Sequence, residues 1–140
     1  MQVTSTSNSD LEIFLSALGD YLRRVGASVT LDLYVDEPIS EQEPRTLFEE
    51  MRGAILTASA EKESRDLLMG VPLDLRSADA RRQFSLLGHR TIGCEAYVND
   101  KLVFTSIENE KTLWLDLPEG TVDELLSRAH QDGAVELRAV

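Results

Sequence analysis

The chain has 140 residues and a formal net charge of −11, with one cysteine, Cys94, and two histidines, His89 and His130. These counts exclude an internal disulfide and remove most of the residue sets used for nucleophilic catalysis or metal binding. We therefore expect no metal and no cofactor, and the composition favours a non-enzymatic protein.

Only three of the 14 basic residues are lysines, and they stand against 25 acidic residues. Because carboxylates hold water and high salt screens their repulsion, a halophilic source is one interpretation; an ordinary acidic protein from a GC-rich genome is the other. Nucleic acid is not expected as a partner, since phosphate binding needs clustered cations. No apolar run is long enough to span a bilayer and the N-terminus is polar, which predicts a cytoplasmic protein without membrane contact.

The beginning of the chain is polar. Residues 1–8 offer few apolar side chains for packing, so we expect a frayed N-terminus followed by one globular domain over residues 9–140. Ser9 and Glu12 match the capping box, in which the hydroxyl and the carboxylate satisfy backbone N–H groups at a helix start. The apolar spacing that follows predicts a first helix over 10–25.

Periodicity predicts the remaining elements. These are strands over 29–35, 71–75, 92–98, 102–104, 112–117 and 135–139, and helices from about 41, in a short stretch ending at 70, over 78–87 and over 122–131. The dipeptide Asn99-Asp100 is typical of a β-hairpin turn. This order predicts an α/β domain in which helices flank a mixed sheet of about five strands.

The order from the first predicted strand onward resembles the thioredoxin and glutaredoxin fold. The stretch LGHRTIGCEAYVNDKLVF, Leu87 to Phe104, is similar to the segment that enters the hairpin of that fold. The resemblance covers most of the chain and implies that the N-terminal helix and one strand are additions. The family's redox CxxC would fall in the sequence EPISEQ, where Ile39 and Gln42 occupy the thiol positions, and Cys94 stands nearest to the family's cis-proline. Dithiol chemistry is therefore not implied.

Cys94 has two interpretations. His89 and Arg90 are close in sequence, and a nearby cation would lower the pKa of the thiol. The alternative function is therefore a single-thiol redox or transfer enzyme that uses these three residues. In the other interpretation Cys94 is a small hydrophobe on the apolar face of its strand, and His89 interacts with a helix end.

A basic island interrupts the acidic chain. Arg76, Arg81, Arg82 and Arg90 face only Asp79 in the same stretch. The island is a candidate contact for an anionic ligand or an acidic partner surface. Alternatively, Arg81 and Arg82 are the solvated side of the helix over 78–87 and pair with neighbouring carboxylates.

Tyr97 and Trp114 alternate out of phase with the apolar residues of their strands, which predicts that they lie on the second face of the sheet. If helices cover that face, both are core residues. If it is open, they form an aromatic interface patch with Phe104 or Tyr34.

Carboxylates also share a predicted strand. Asp32 and Asp36, with Glu95 on a neighbouring strand, would form an acidic patch that fits a divalent cation, although the overall expectation is a protein without a metal. The composition and motifs together predict a non-enzymatic binding or regulatory domain with a protein partner or a second copy in a homodimer. A further alternative is an acidic chaperone or nucleic-acid mimic.

Overall fold

The computed structural model describes residues 1–33, 39–58, 68–107 and 111–140. Within them the strands are β1 (Gln2–Thr4), β2 (Ser28–Asp32), β3 (Val71–Leu73), β4 (Gly93–Val98), β5 (Lys101–Ser106), β6 (Thr112–Leu115) and β7 (Arg138–Ala139). The helices are α1 (Asn8–Arg24), α2 (Gln42–Ala58), α3 (Ala78–Leu87) and α4 (Thr121–Gln131). The predicted combination of helices and strands is confirmed. The prediction of about five strands is wrong, because the described residues form seven.

All seven strands belong to one sheet, in the order β3-β2-β4-β5-β6-β1-β7. Every neighbouring pair is antiparallel, so the prediction of a mixed sheet is wrong. On the helical side, α1 packs against both α3 and α4, and α2 packs against α3. The described residues therefore form two layers, a sheet and a layer of helices, and the core lies between them.

The core is built from the inward positions of the strands and from α1 and α3. The inward residues are almost inaccessible to solvent: Val3, Val29, Leu31, Cys94, Ala96, Phe104, Leu113 and Leu115. The Phe84 ring of α3 meets the Phe104 ring edge to face, with the ring centroids 5.6 Å apart. Gly19 permits the close approach of α1, because a Cβ at that position would lie 3.3 Å from the Phe84 ring.

Two helices begin before their predicted starts: α1 begins at Asn8 instead of residue 10, and α4 begins at Thr121 instead of residue 122. The hydroxyl of Ser7, not Ser9, caps α1 by accepting a hydrogen bond from the Asp10 N–H. The helix α4 is preceded by Gly120 in a left-handed conformation (φ 84°), and no side chain caps it. The bounds of α3 agree with the prediction, and Ser77 caps this helix. A capping residue is therefore easy to misplace by one or two positions when several polar residues precede a helix.

The N-terminal residues form a strand where a frayed segment was expected. Gln2–Thr4 lie between β6 and β7, with Val3 opposite both Leu113 and Ala139. Val3 is fully buried. The polar composition misled the prediction because a strand with one buried face needs an apolar residue only at its inward position.

The hairpin between β4 and β5 agrees with the prediction: Asn99 and Asp100 both have positive φ angles, 50° and 65°. The register shifts by one residue at Ala96 and Tyr97. The extra residue of this bulge is Val103, which lies inward and buried next to Phe104. Phe104 is therefore a core residue and does not belong to an exposed aromatic patch.

Some predictions fall outside the described residues. Tyr34 and Asp36 are among them, as is most of the short helix predicted to end at 70. The predicted strand over 135–139 is shorter in the structure, where only Arg138–Ala139 pair with β1.

Candidate functional site

The outward side of the sheet, here called the exposed face, carries a row of side chains across six strands. Their positions follow directly from the strand register. The row consists of Pro72, Thr30, Glu95, Thr105, Trp114 and Gln2. Each of these residues is half-buried or exposed, whereas the inward neighbours on the same strands are mostly buried. The helices α1, α3 and α4 pack on the other side, so one face of this antiparallel sheet is left to solvent or a partner among the described residues.

Tyr97 and Glu95 form a hydrogen-bonded pair on this face. They are two residues apart on β4 and therefore point to the same side. The Tyr97 hydroxyl donates to Oε2 of Glu95 over 2.6 Å. This hydrogen bond, together with burial and the negative charge of Glu95, raises the pKa of Tyr97 above its ordinary value. Leu102 lies opposite Tyr97 on β5 and adds an apolar side chain next to the ring.

Trp114 extends the aromatic character of the exposed face. It lies in the same row as Glu95, two strands away, which corresponds to ~10 Å. Trp114 is half-buried, as is Tyr97. The predicted out-of-phase placement of both aromatics is therefore observed, and helices α1, α3 and α4 do not cover them.

Asp32 places a second carboxylate on this face. It lies at the end of β2, opposite Gly93, and its Oδ1 accepts a hydrogen bond from the Gly70 N–H over 2.6 Å. Asp36, the third residue of the predicted cation site, lies outside the described residues. Among the residues that are described, no cluster of three His, Cys, Asp or Glu is arranged to hold a metal ion. Asp32 and Glu95 instead make part of the exposed face acidic.

Cys94 lies on the inward side of β4 and is 1% exposed. Its backbone N–H donates to Oγ of Ser106 over 2.9 Å. Burial raises the pKa of the thiol far above its ordinary value, and the negative charges of Asp32 and Glu95 raise it further. A thiolate is therefore not available in the folded protein near neutral pH.

Arg90, proposed from the sequence to activate that thiol, is occupied elsewhere. Its guanidinium contacts Glu12 at 2.6 Å and makes a two-point contact with Glu41, over 2.8 and 3.0 Å. It also donates to the Leu86 carbonyl. The hydrogen bonds from Arg90 to Glu41 lower the pKa of Glu41. The Arg90 side chain is only 6% exposed, whereas those of Glu12 and Glu41 are 26% and 46% exposed, so Arg90 joins the end of α3 to the beginnings of α1 and α2 through two partly buried ion pairs.

His89, the third residue of that proposed site, has both ring nitrogens buried and without a hydrogen-bond partner among the described residues. Burial lowers its pKa to about 3, and the positive charge of Arg90 contributes to the shift. A neutral imidazole cannot stabilise a thiolate by its charge. The conditions that a reactive thiol needs are therefore not met by Cys94, His89 and Arg90.

The other arginines of the basic island also have internal partners. Arg76 pairs with Asp74 at 2.8 Å, and Arg82 pairs with Glu43. Arg81 donates to two backbone carbonyls in the turn before α3. Arg76 and Arg82 are therefore paired with carboxylates, whereas Arg81 is held by neutral backbone carbonyls. The hydrogen bonds from Arg76 lower the pKa of Asp74 to about 2.

The sequence did not identify the pairing of Glu95 with Tyr97. The available signal was their spacing of two residues within a predicted strand, which places both side chains on one face. Without the register, nothing joined this pair to Trp114 and Asp32 on other strands.

The comparisons with known proteins add no family. A scan against protein-family models matches none of them, and searches of curated proteins and of solved structures return no match. In the described part of the chain, no helix has the length and apolarity required to cross a membrane. Function is therefore inferred from the geometry of the described residues.

Proposed function

We propose that this protein is a non-enzymatic binding module whose exposed face docks a basic segment of a partner protein. The observation that supports this most directly is the combination of the Glu95–Tyr97 pair with Trp114 on a sheet face that α1, α3 and α4 leave uncovered. Tyrosine and tryptophan are the side chains most often found at the energetic centre of protein interfaces.

Charge favours a basic partner. The chain carries a net charge of −11, and Asp32 and Glu95 are carboxylates on the face itself. An arginine of the partner can pair with Glu95 and stack on the neighbouring Tyr97 ring at the same time. Two copies of this chain docked through the same face would bring their carboxylates together, which disfavours the homodimer.

The edges of the sheet are less suited to a partner than its face. The edge strand β3 contains Pro72, which has no N–H to donate to an added strand. The other edge, β7, has two residues. A strand of a partner would therefore find few free backbone N–H and C=O groups at either edge. Docking on the side chains of the exposed face is favoured instead.

A fluorescence titration tests this proposal. Trp114 is the only tryptophan of the chain, so its emission reports from the exposed face. A short capped peptide of alternating arginine and leucine is expected to change the emission in a saturable way. Replacing Glu95 by glutamine is expected to weaken binding about tenfold, because a charge-assisted hydrogen bond is lost.

The matched control is Glu49→Gln on α2. Glu49 is exposed, so this variant removes the same charge from the helical layer. If the two substitutions weaken binding equally, the affinity for the peptide depends only on the net charge of the protein. That result would contradict docking on the exposed face. Sedimentation of the free protein, with and without the peptide, tests whether the exposed face instead forms a homodimer. A dimer that must dissociate before the peptide binds would assign the face to self-association.

A further inference from the structure

A cavity lies on the helical side of the sheet, away from the exposed face. Its volume is about 470 Å³, within the ~300–1,000 Å³ typical of small-molecule sites. It is formed by the end of α1, the β4–β5 hairpin and the segment after β6. Its apolar walls are Tyr21, Val25, Val98, Val103, Leu117 and Pro118.

The β-bulge supplies one wall of this cavity. In a regular hairpin Val103 would alternate to the exposed face, but the register shift turns it inward beside the cavity. Val25, at the end of α1, is 40% exposed although it is apolar. The cavity thus keeps apolar surface in contact with solvent, which a bound apolar group would cover.

Two charged residues that line the cavity, Lys101 and Asp116, form an ion pair. The Lys101 ammonium lies 3.1 Å from Oδ2 of Asp116, and the two side chains are 67% and 46% exposed. The backbone N–H of Asp116 donates to the Val103 carbonyl over 2.9 Å, which fixes the chain that carries this carboxylate. An exposed pair of this kind contributes ~0–1 kcal/mol, so a ligand opens it at little cost.

We infer that this cavity binds a free amino acid with an apolar side chain, such as leucine. The carboxylate of the ligand pairs with Lys101, its ammonium group pairs with Asp116, and its side chain lies between Val103 and Leu117. A ligand that carries only a carboxylate meets Asp116 as a like charge, and one that carries only an amine meets Lys101. A zwitterion has no net charge, so the acidic protein does not repel it.

Amide chemical shifts of the isotope-labelled protein test this inference during addition of L-leucine, leucinamide, N-acetylleucine and glycine. Leucine is expected to shift the amides of Val98, Val103 and Leu117 in a saturable way. The other three probes lack one charge or the apolar side chain and are expected to bind at least about tenfold more weakly. No saturable shift with leucine, or equal binding of N-acetylleucine, would overturn the inference.

Two pairs of variants complete the test. Lys101→Met is expected to weaken leucine binding about tenfold, whereas Lys111→Met, at an exposed position just before β6, is not. Val25→Ser is also expected to weaken it, whereas Val135→Ser, at a site that is 80% exposed, is not. All four positions are partly or fully exposed, so the variants are expected to fold. Unchanged binding in both Lys101→Met and Val25→Ser would overturn the assignment of the cavity.

Discussion

The Tyr97 hydroxyl donates a hydrogen bond of 2.6 Å to Oε2 of Glu95, two residues earlier on the same strand. The bond is charge-assisted, because its acceptor is a carboxylate. It holds the carboxylate beside an aromatic ring on the exposed face, so an incoming cation meets both groups without rearrangement. Pre-organisation of this kind reduces the entropy cost of binding.

The Glu95→Gln substitution is expected to lower the pKa of Tyr97 toward its ordinary value. The hydrogen bond to the Glu95 carboxylate is the largest cause of the raised pKa, followed by burial and by the negative charge of Glu95. Glutamine removes the charge and can leave only a weaker, neutral hydrogen bond. Absorbance titration of the tyrosines at alkaline pH, compared with that of Glu49→Gln, measures the change. Identical titration curves for the two variants would show that the hydrogen bond is not formed in solution.

Cys94 is expected to resist thiol reagents in the folded protein. It is 1% exposed and its pKa is raised by burial, so labelling requires unfolding. The rate of reaction with a disulfide reagent at neutral pH, with and without denaturant, measures this protection. Rapid labelling without denaturant would support the single-thiol enzyme instead.

Gly88→Ala is expected to reduce the free energy of unfolding by ~1–3 kcal/mol, as in other overpacked sites. A Cβ at Gly88 would lie 2.7 Å from the Phe84 carbonyl oxygen and 3.2 Å from Leu15. Gly53→Ala on α2 is the control, because a Cβ there meets nothing within 4 Å. This variant is expected to gain ~0.5–1 kcal/mol from helix propensity. Urea unfolding measures both, and a neutral Gly88→Ala would contradict the close packing of α1 and α3.

Acid is expected to destabilise the fold through His89. Its pKa falls from 6.5 to about 3 on folding, so the unfolded chain binds a proton that the folded protein does not. The contribution of His89 to the free energy of unfolding is complete above pH 6.5. It is lost as the pH falls toward 3, by up to ~1.4 kcal/mol per pH unit. The lowered pKa of Glu41 adds to this loss only below its ordinary value of 4.5.

His89→Leu isolates that contribution. Urea unfolding at several pH values between 6.5 and 4.5 is expected to show a flatter dependence in the variant than in the wild type, because leucine takes up no proton. An equal slope in both proteins would assign the acid sensitivity to other groups.

The local elements could be predicted where the sequence signal is local. The helix α3 follows the spacing of apolar residues within ten positions, and the hairpin follows from Asn99-Asp100. The strand β1 could not be predicted, because its one inward side chain, Val3, gains its environment from Leu113 and Ala139, more than a hundred positions away. The bulge at Val103 likewise depends on the partner strand.

The candidate site could be predicted only in part. Alternation placed Tyr97 and Trp114 on the second face, but whether that face is covered depends on where the helices pack. Arg90 shows the same limit, because its partners Glu12 and Glu41 lie at the starts of two other helices, far away in the sequence. The sequence prediction therefore paired Arg90 with Cys94, which is only four residues away.

Mapping the arginine–leucine peptide by amide chemical shifts of the isotope-labelled protein tests the exposed face most directly. Docking on this face predicts saturable shifts that are largest at Thr30, Glu95, Thr105 and Trp114 and that shrink in Glu95→Gln. Shifts centred on the acidic helix α2, or spread evenly over the acidic residues of the chain, would contradict a partner site on the sheet.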